Sequence, residues 1–131
     1  MENHLRADLL GWLRDDPALS QINAMEEESP LTASPPWLGL SASGSSDWGT
    51  KDRRGREVRI ALELETRTDD ADADSGLVAS IERRVLDLPP FANGYELASV
   101  RFLRARSEQR ESNRRGALLE FRFRLFHSLT E

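Results

Sequence analysis

The stretch Val58-Arg59-Ile60-Ala61-Leu62-Glu63-Leu64-Glu65 sets a large apolar residue at every second position. That period of two belongs to a β-strand. It puts Val58, Ile60, Leu62 and Leu64 on one face and Arg59, Ala61, Glu63 and Glu65 on the other, mostly in solvent. The same rule reads the end of the chain. Over about 117–127, Leu119, Phe121, Phe123 and Leu125 share an apolar face, while Glu120, Arg122 and Arg124 point the other way. A preceding run, about 96–106, pairs with it as a hairpin, with Val100 and Phe102 on one face and Leu103 and Ala105 on the other. The link, 107–116, is polar and reads as a hairpin loop. One-sided strands of this kind need an apolar layer over one face only.

Two helical stripes supply that layer. Leu5, Leu9, Trp12 and Leu13 fall at i, i+4, i+7 and i+8, predicting an amphipathic helix over about 3–14. Asp16-Pro17 then restarts the chain as an N-cap and first helical residue, with Leu19 and Ile22 on a short second turn. Leu77, Val78, Ile81, Val85 and Leu88 form the other stripe, capped by Asp74 or Ser75 and ended by Pro89-Pro90. Residues 23–36 read mostly as loop, Trp37 to Ala42 as a short strand, and 43–56 as a mobile polar loop holding Trp48. The expectation is one α+β domain over 1–131. It has a mainly antiparallel sheet of about four strands, two main helices packed on one face, and the order α-β-β-α-β-β.

Composition narrows the function classes. The 131 residues carry no cysteine, which removes disulfides, thiolate metal sites and cysteine nucleophiles. No run approaches a membrane span, and Met1-Glu2-Asn3-His4 does not open a signal segment. The net charge of −5 is uneven: 1–50 sum to −6, 51–94 to −2 and 95–131 to +3. A chain acidic overall is a poor non-specific DNA binder, whereas one acidic and one basic end suit contact with its own copies or a protein partner.

Several constellations bear on chemistry. Glu63, Glu65, Asp69, Asp70, Asp72 and Asp74 offer enough oxygen atoms for Mg²⁺ or Ca²⁺, and a metal-dependent nucleic-acid enzyme is the alternative they raise. Their spacing lacks the glycine and closing glutamate of an EF-hand, and a solvated acidic turn before a helix accounts for the Asp run. His4 and His127 stand at opposite ends of the chain without metal-ligand spacing. The Ser/Gly segment around Gly44 fits neither a nucleophile elbow nor a phosphate loop. Arg104, Arg106, Arg110, Arg114 and Arg115 gather at one end of the hairpin. They suit phosphate contact, a protein interface, or a solvated loop paired to Glu108 and Glu111. Trp37 and Trp48, in or beside loops, either fold back on their own domain or anchor a subunit contact.

The layout resembles a known family: the tail terminators, or tail-completion proteins, of long-tailed phages and phage-derived gene transfer agents. The features that carry the resemblance run along nearly the whole chain. They are the helix from Leu5 to Leu13 leading into Asp16-Pro17-Ala18-Leu19, the segment Pro35-Pro36-Trp37-Leu38, and the strand Val58 to Leu64 followed by the helix Ser75 to Leu88. The closing hairpin, Leu97-Ala98-Ser99-Val100-Arg101-Phe102-Leu103 with Arg114 to Arg124, looks most like the gene-transfer-agent branch. Members often carry a short strand within 25–35, against which Glu26-Glu27-Glu28 argues here. The resemblance implies a structural, non-enzymatic virion protein in the tail and neck region, assembled in the bacterial cytoplasm. It implies a hexameric ring at the head-proximal end of the tail tube. That ring stops tube growth and meets tube and neck proteins, with DNA only in transit through its lumen. Another head-tail connector or stopper is the neighbouring reading. No catalytic residue, metal or cofactor, and no membrane partner, follows from it. The assembly-interface candidates are Arg104, Arg106, Arg110, Arg114, Arg115, Trp37 and Trp48.

Overall fold

In the computed structural model the described residues are 1–28, 33–67, 71–92 and 94–128. Helix α1 spans Glu2–Arg14 and is followed by a 3₁₀ turn, Pro17–Leu19, whose N-cap Asp16 accepts a hydrogen bond from the Ala18 N–H. Three strands follow: β1, Ala24–Glu26; β2, Trp37–Asp47; and β3, Gly55–Arg67. Helix α2 runs Ala71–Leu86, then come β4, Phe91–Ala92, β5, Tyr95–Arg110, and β6, Arg114–His127. The strands form one sheet in the order β1-β2-β3-β6-β5-β4. All neighbours are antiparallel except β1 and β2, so the sheet is mixed.

The alternation in β3 and β6 decides where the core lies. Val58, Ile60, Leu62 and Leu64 pair with Phe123, Phe121, Leu119 and Ala117, and all eight are buried. They form one cluster with Leu5, Leu9 and Leu13 of α1 and Leu77, Ile81 and Val85 of α2. A reciprocal pair of bonds ties the helices together. The Trp12 indole donates to the Arg84 carbonyl at 2.8 Å, and Arg84 Nε donates to the Trp12 carbonyl at 2.8 Å. The Arg84 guanidinium lies 3.4 Å from the centroid of the Trp12 ring. No described helix is long and apolar enough to cross a membrane.

The sheet is larger than the sequence reading allowed, six strands against about four. Within 23–36 a strand does form. Ala24–Glu26 pairs with Trp37–Gly39, while Asn23 is held by its N–H to the Pro36 carbonyl at 2.7 Å and by its amide to the Ser34 carbonyl at 2.8 Å. The presumed loop 43–56 shrinks to 48–54. Ser43 to Asp47 ladder against Arg56 to Ile60, a pairing that overrides the weak strand preference of Ser and Gly. The presumed loop 107–116 shrinks likewise to the turn Glu111-Ser112-Asn113, whose Ser112 and Asn113 take positive φ of 60° and 58°. Positive φ at both central residues matches the twist of a tight hairpin. The register breaks between Phe102 and Arg104, so Leu103 is an extra residue and Ala105 returns to the side of Leu119. Finally, α2 begins at Ala71, which makes Asp74 and Ser75 internal helical residues and not its caps.

Candidate functional site

With one face given to the core, the opposite face of the sheet carries the charge. Register places Glu57, Arg59, Ala61, Glu63 and Glu65 of β3 there. Beside them lie Arg114, Gly116, Leu118, Glu120, Arg122 and Arg124 of β6, and Arg101, Arg104, Arg106, Glu108 and Arg110 of β5.

Glu65 is the hub at one end, and it is only 7% exposed. Its carboxylate accepts from the Trp37 indole N–H at 3.0 Å, from Arg110 Nη1 at 3.3 Å and from Arg114 Nη1 at 3.4 Å. Arg110 Nη1 also lies 2.8 Å from Glu63, and its Nη2 lies 3.2 Å from Glu108. Burial works against the Arg110 charge, but the bonds to Glu63, Glu65 and Glu108 outweigh it and raise its pKa. Reaching from β5 to β3 requires crossing β6, and the crossing is made over Gly116. A Cβ there would stand 2.2 Å from Arg110 Cζ.

Toward the middle of the sheet, Arg104 pairs with Glu120, whose pKa this bond lowers. Glu57 lies 3.1 Å from Arg124, 3.7 Å from Arg59 and 4.0 Å from Arg122. A shallow groove of about 620 Å³ runs beside them, lined in part by Ala42, Ser43, Gly44, Arg59, Arg104 and Glu120. At the far end the Trp48 ring lies 4.9 Å from that of Phe126, and Arg53 sits 4.2 Å above Phe126. Gly55 lets Trp48 settle there, since a Cβ would meet the Trp48 ring at 3.3 Å and the Leu125 carbonyl at 2.8 Å.

The seven interface candidates therefore separate. Trp37 is 6% exposed and turned onto Glu65, and Trp48 folds back against β6, so both tryptophans are engaged within the chain. Arg110 and Arg114 are tied to buried or half-buried carboxylates, and Arg115 sits on the helix-side face opposite Thr66. Arg104 stays 74% exposed at its side chain while paired to Glu120, and Arg106 is exposed. Arg101, also exposed on this face, was not singled out from sequence, although it alternates with Val100 and Phe102 and could have been.

Of the six carboxylates raised for metal chemistry, the structure describes the side chains of two. Glu63 and Glu65 turn to guanidinium groups, a correction to their assignment to solvent. Asp69 and Asp70 lie outside the described residues, as do the side chains of Asp72 and Asp74 on the first turn of α2. Among the described residues no group of three or more His, Asp or Glu could hold a metal ion.

The sheet thus spends one face on its core and carries ion-paired arginines on the other. A family model described as "Tail completion protein gp17" matches residues 7–126. The chain belongs to that family. Among solved structures it is similar to a chain from the "Virion of native gene transfer agent (GTA) particle". The two share 20% identity over 95% of this chain and 96% of that one, with a TM-score of 0.81. Another solved chain, 9% identical, aligns over 98% of this chain and 93% of its own with a TM-score of 0.54. A comparison with curated proteins finds no match.

Proposed function

We propose that this protein ends the tail tube of a phage-like particle as a ring of six copies, stops tube growth and joins the tail to the neck. The observation that carries the reading is family membership over 7–126, supported by a likeness in fold, nearly end to end, to a chain of a gene transfer agent virion. The role is structural and needs no cofactor. The exposed arginines of the charged sheet face, Arg101, Arg104 and Arg106, are the assembly contacts, to another copy or to tube or neck protein. Planar guanidinium groups suit such contacts because they bind carboxylates through two donors at once. Arg110 and Arg114 act one step back, by holding the hairpin arm against β3. DNA meets the ring only in transit.

The test is a particle preparation made without this chain, examined by electron microscopy. Tails of irregular length without heads are expected. Tails of normal length joined to heads would refute the reading. Tails of normal length that lack heads would move the chain to a stopper or connector role.

A further inference from the structure

The sheet has two open edges, and they lie on opposite sides. On one side β1 covers β2 only at Trp37, Leu38 and Gly39, so from Leu40 to Asp47 no described residue pairs with the outer edge of β2. On the other side β4 covers β5 only at Tyr95 and Glu96, which leaves β5 open from Ala98 to Arg110 among the described residues. Most of each open segment is also bare on its faces. Ser41 to Asp47 are exposed throughout, and so are Leu103 to Gln109, although half of each segment looks toward the helix side. A strand wet on both faces and along one edge gains little from burial, and its unpaired N–H and C=O groups are a template for another strand.

We propose that the outer edge of β2 in one copy pairs with the outer edge of β5 in the next, so that the sheet continues from subunit to subunit. Three antiparallel steps, β2 to β3 to β6 to β5, leave β2 and β5 running in opposite directions. A sheet continued in the same sense from one copy to the next keeps strand direction, so the new pair is antiparallel. The contact is heterologous, with unlike surfaces meeting, and such contacts make a ring where the rotation between copies closes. Charge selects unlike edges. Pairing β5 with β5 would set Arg101, Arg104 and Arg106 against their own copies, and like charges across a ladder destabilise it. The Ser41-Ala42-Ser43-Gly44-Ser45-Ser46 run of β2 offers small side chains over which those arginines can lie. Near Gly44 a Cβ would meet nothing within 4 Å.

This inference rests on the ring reading above. The chain has no native cysteine, which permits a clean test with Ser43→Cys and Ala105→Cys in one chain. Within one copy the two positions are three strand spacings apart, about 14 Å, beyond the roughly 7 Å reach of a disulfide. Oxidation, or a bismaleimide shorter than that separation, is applied to the purified chain and to assembled particles. Both side chains are exposed, so an unchanged Tm checks that the double variant folds. The expected result is a ladder of covalent species beyond the dimer in particles, absent from either single variant. Covalent dimers from a single variant would show like-with-like pairing and overturn the proposal. So would a double variant that gives no ladder in particles whose heads and tails are joined normally, and that outcome would leave the ring reading standing.

Discussion

Arg110 reaches Glu63 and Glu65 because position 116 carries no side chain, and that single absence sets the chemistry of the hairpin end. Glu65 is buried, and a buried carboxylate stripped of its partners keeps its desolvation cost. Arg110→Ser and Gly116→Ala are therefore each expected to lower stability by about 1–3 kcal/mol, whereas Arg101→Ser should stay within about 0.5 kcal/mol. Urea unfolding of the three variants checks this, and equal losses would show that Arg110 is as free as Arg101. Tyr95 supplies a second case. Its hydroxyl donates to Asp8 at 2.8 Å, and burial together with that bond raises its pKa well above the ordinary 10.0. The folded chain then keeps a proton that the unfolded chain releases above pH 10, so stability should fall as pH rises from there. Tyr95→Phe should flatten that fall. Because Tyr95 is the one tyrosine of the chain, its phenolate absorbance reads the titration directly. A midpoint near 10 in the folded protein would contradict the burial and the bond.

At the scale of elements, β3, β6 and α1 were legible because each buries one face, and burial on one face writes a period into the sequence. Phe123 illustrates it: its alternation with Arg122 and Arg124 predicts a core position, and it is fully buried opposite Val58. Phe123→Ala is expected to cost about 3–5 kcal/mol, and an unchanged Tm would mean that the strand register is off by one residue. The segments that sequence misread are those without a buried face. Ser43 to Asp47 and Ser107 to Gln109 are wet on both sides, so no periodicity marks them, and only pairing with β3 and β6 makes them strands. The short strand β1 was hidden for a related reason, since a parallel partner thirteen residues along the chain leaves no local signal at Ala24-Met25-Glu26. The candidate site was half legible. Arginines clustered at 104–115 announced a charged hairpin, but which of them face Glu63 and Glu65 depends on the glycine crossing at 116. Placing Glu63 and Glu65 mostly in solvent failed there, because a strand's polar face can be closed over by side chains from two strands away.

For the whole molecule, the proposed function has an acidic chain dock through a basic face. Residues 1–50 sum to −6 and residues 95–131 to +3, within a total of −5. Copies or partners approaching through the β5 side meet Arg101, Arg104 and Arg106, which lie exposed while the chain's other surfaces repel like charge. The cluster Arg110, Arg114 and Arg115 is a poor probe of assembly, since removing the first two also leaves Glu65 with the Trp37 indole in place of three partners. The informative variant changes Arg101, Arg104 and Arg106 together to Ser. All three side chains stand on an exposed strand, so the monomer should lose no more than about 1 kcal/mol. Assembly should suffer, and more at low salt than at high, because the attraction the variant loses is surface electrostatics that ions already screen over about 10 Å when salt is high. Electron microscopy of particles carrying the triple variant should show fewer joined heads and tails at unchanged protein level. Normal numbers of joined particles at every salt concentration would remove the basic face from assembly. The uneven charge would then be left as a matter of solubility alone.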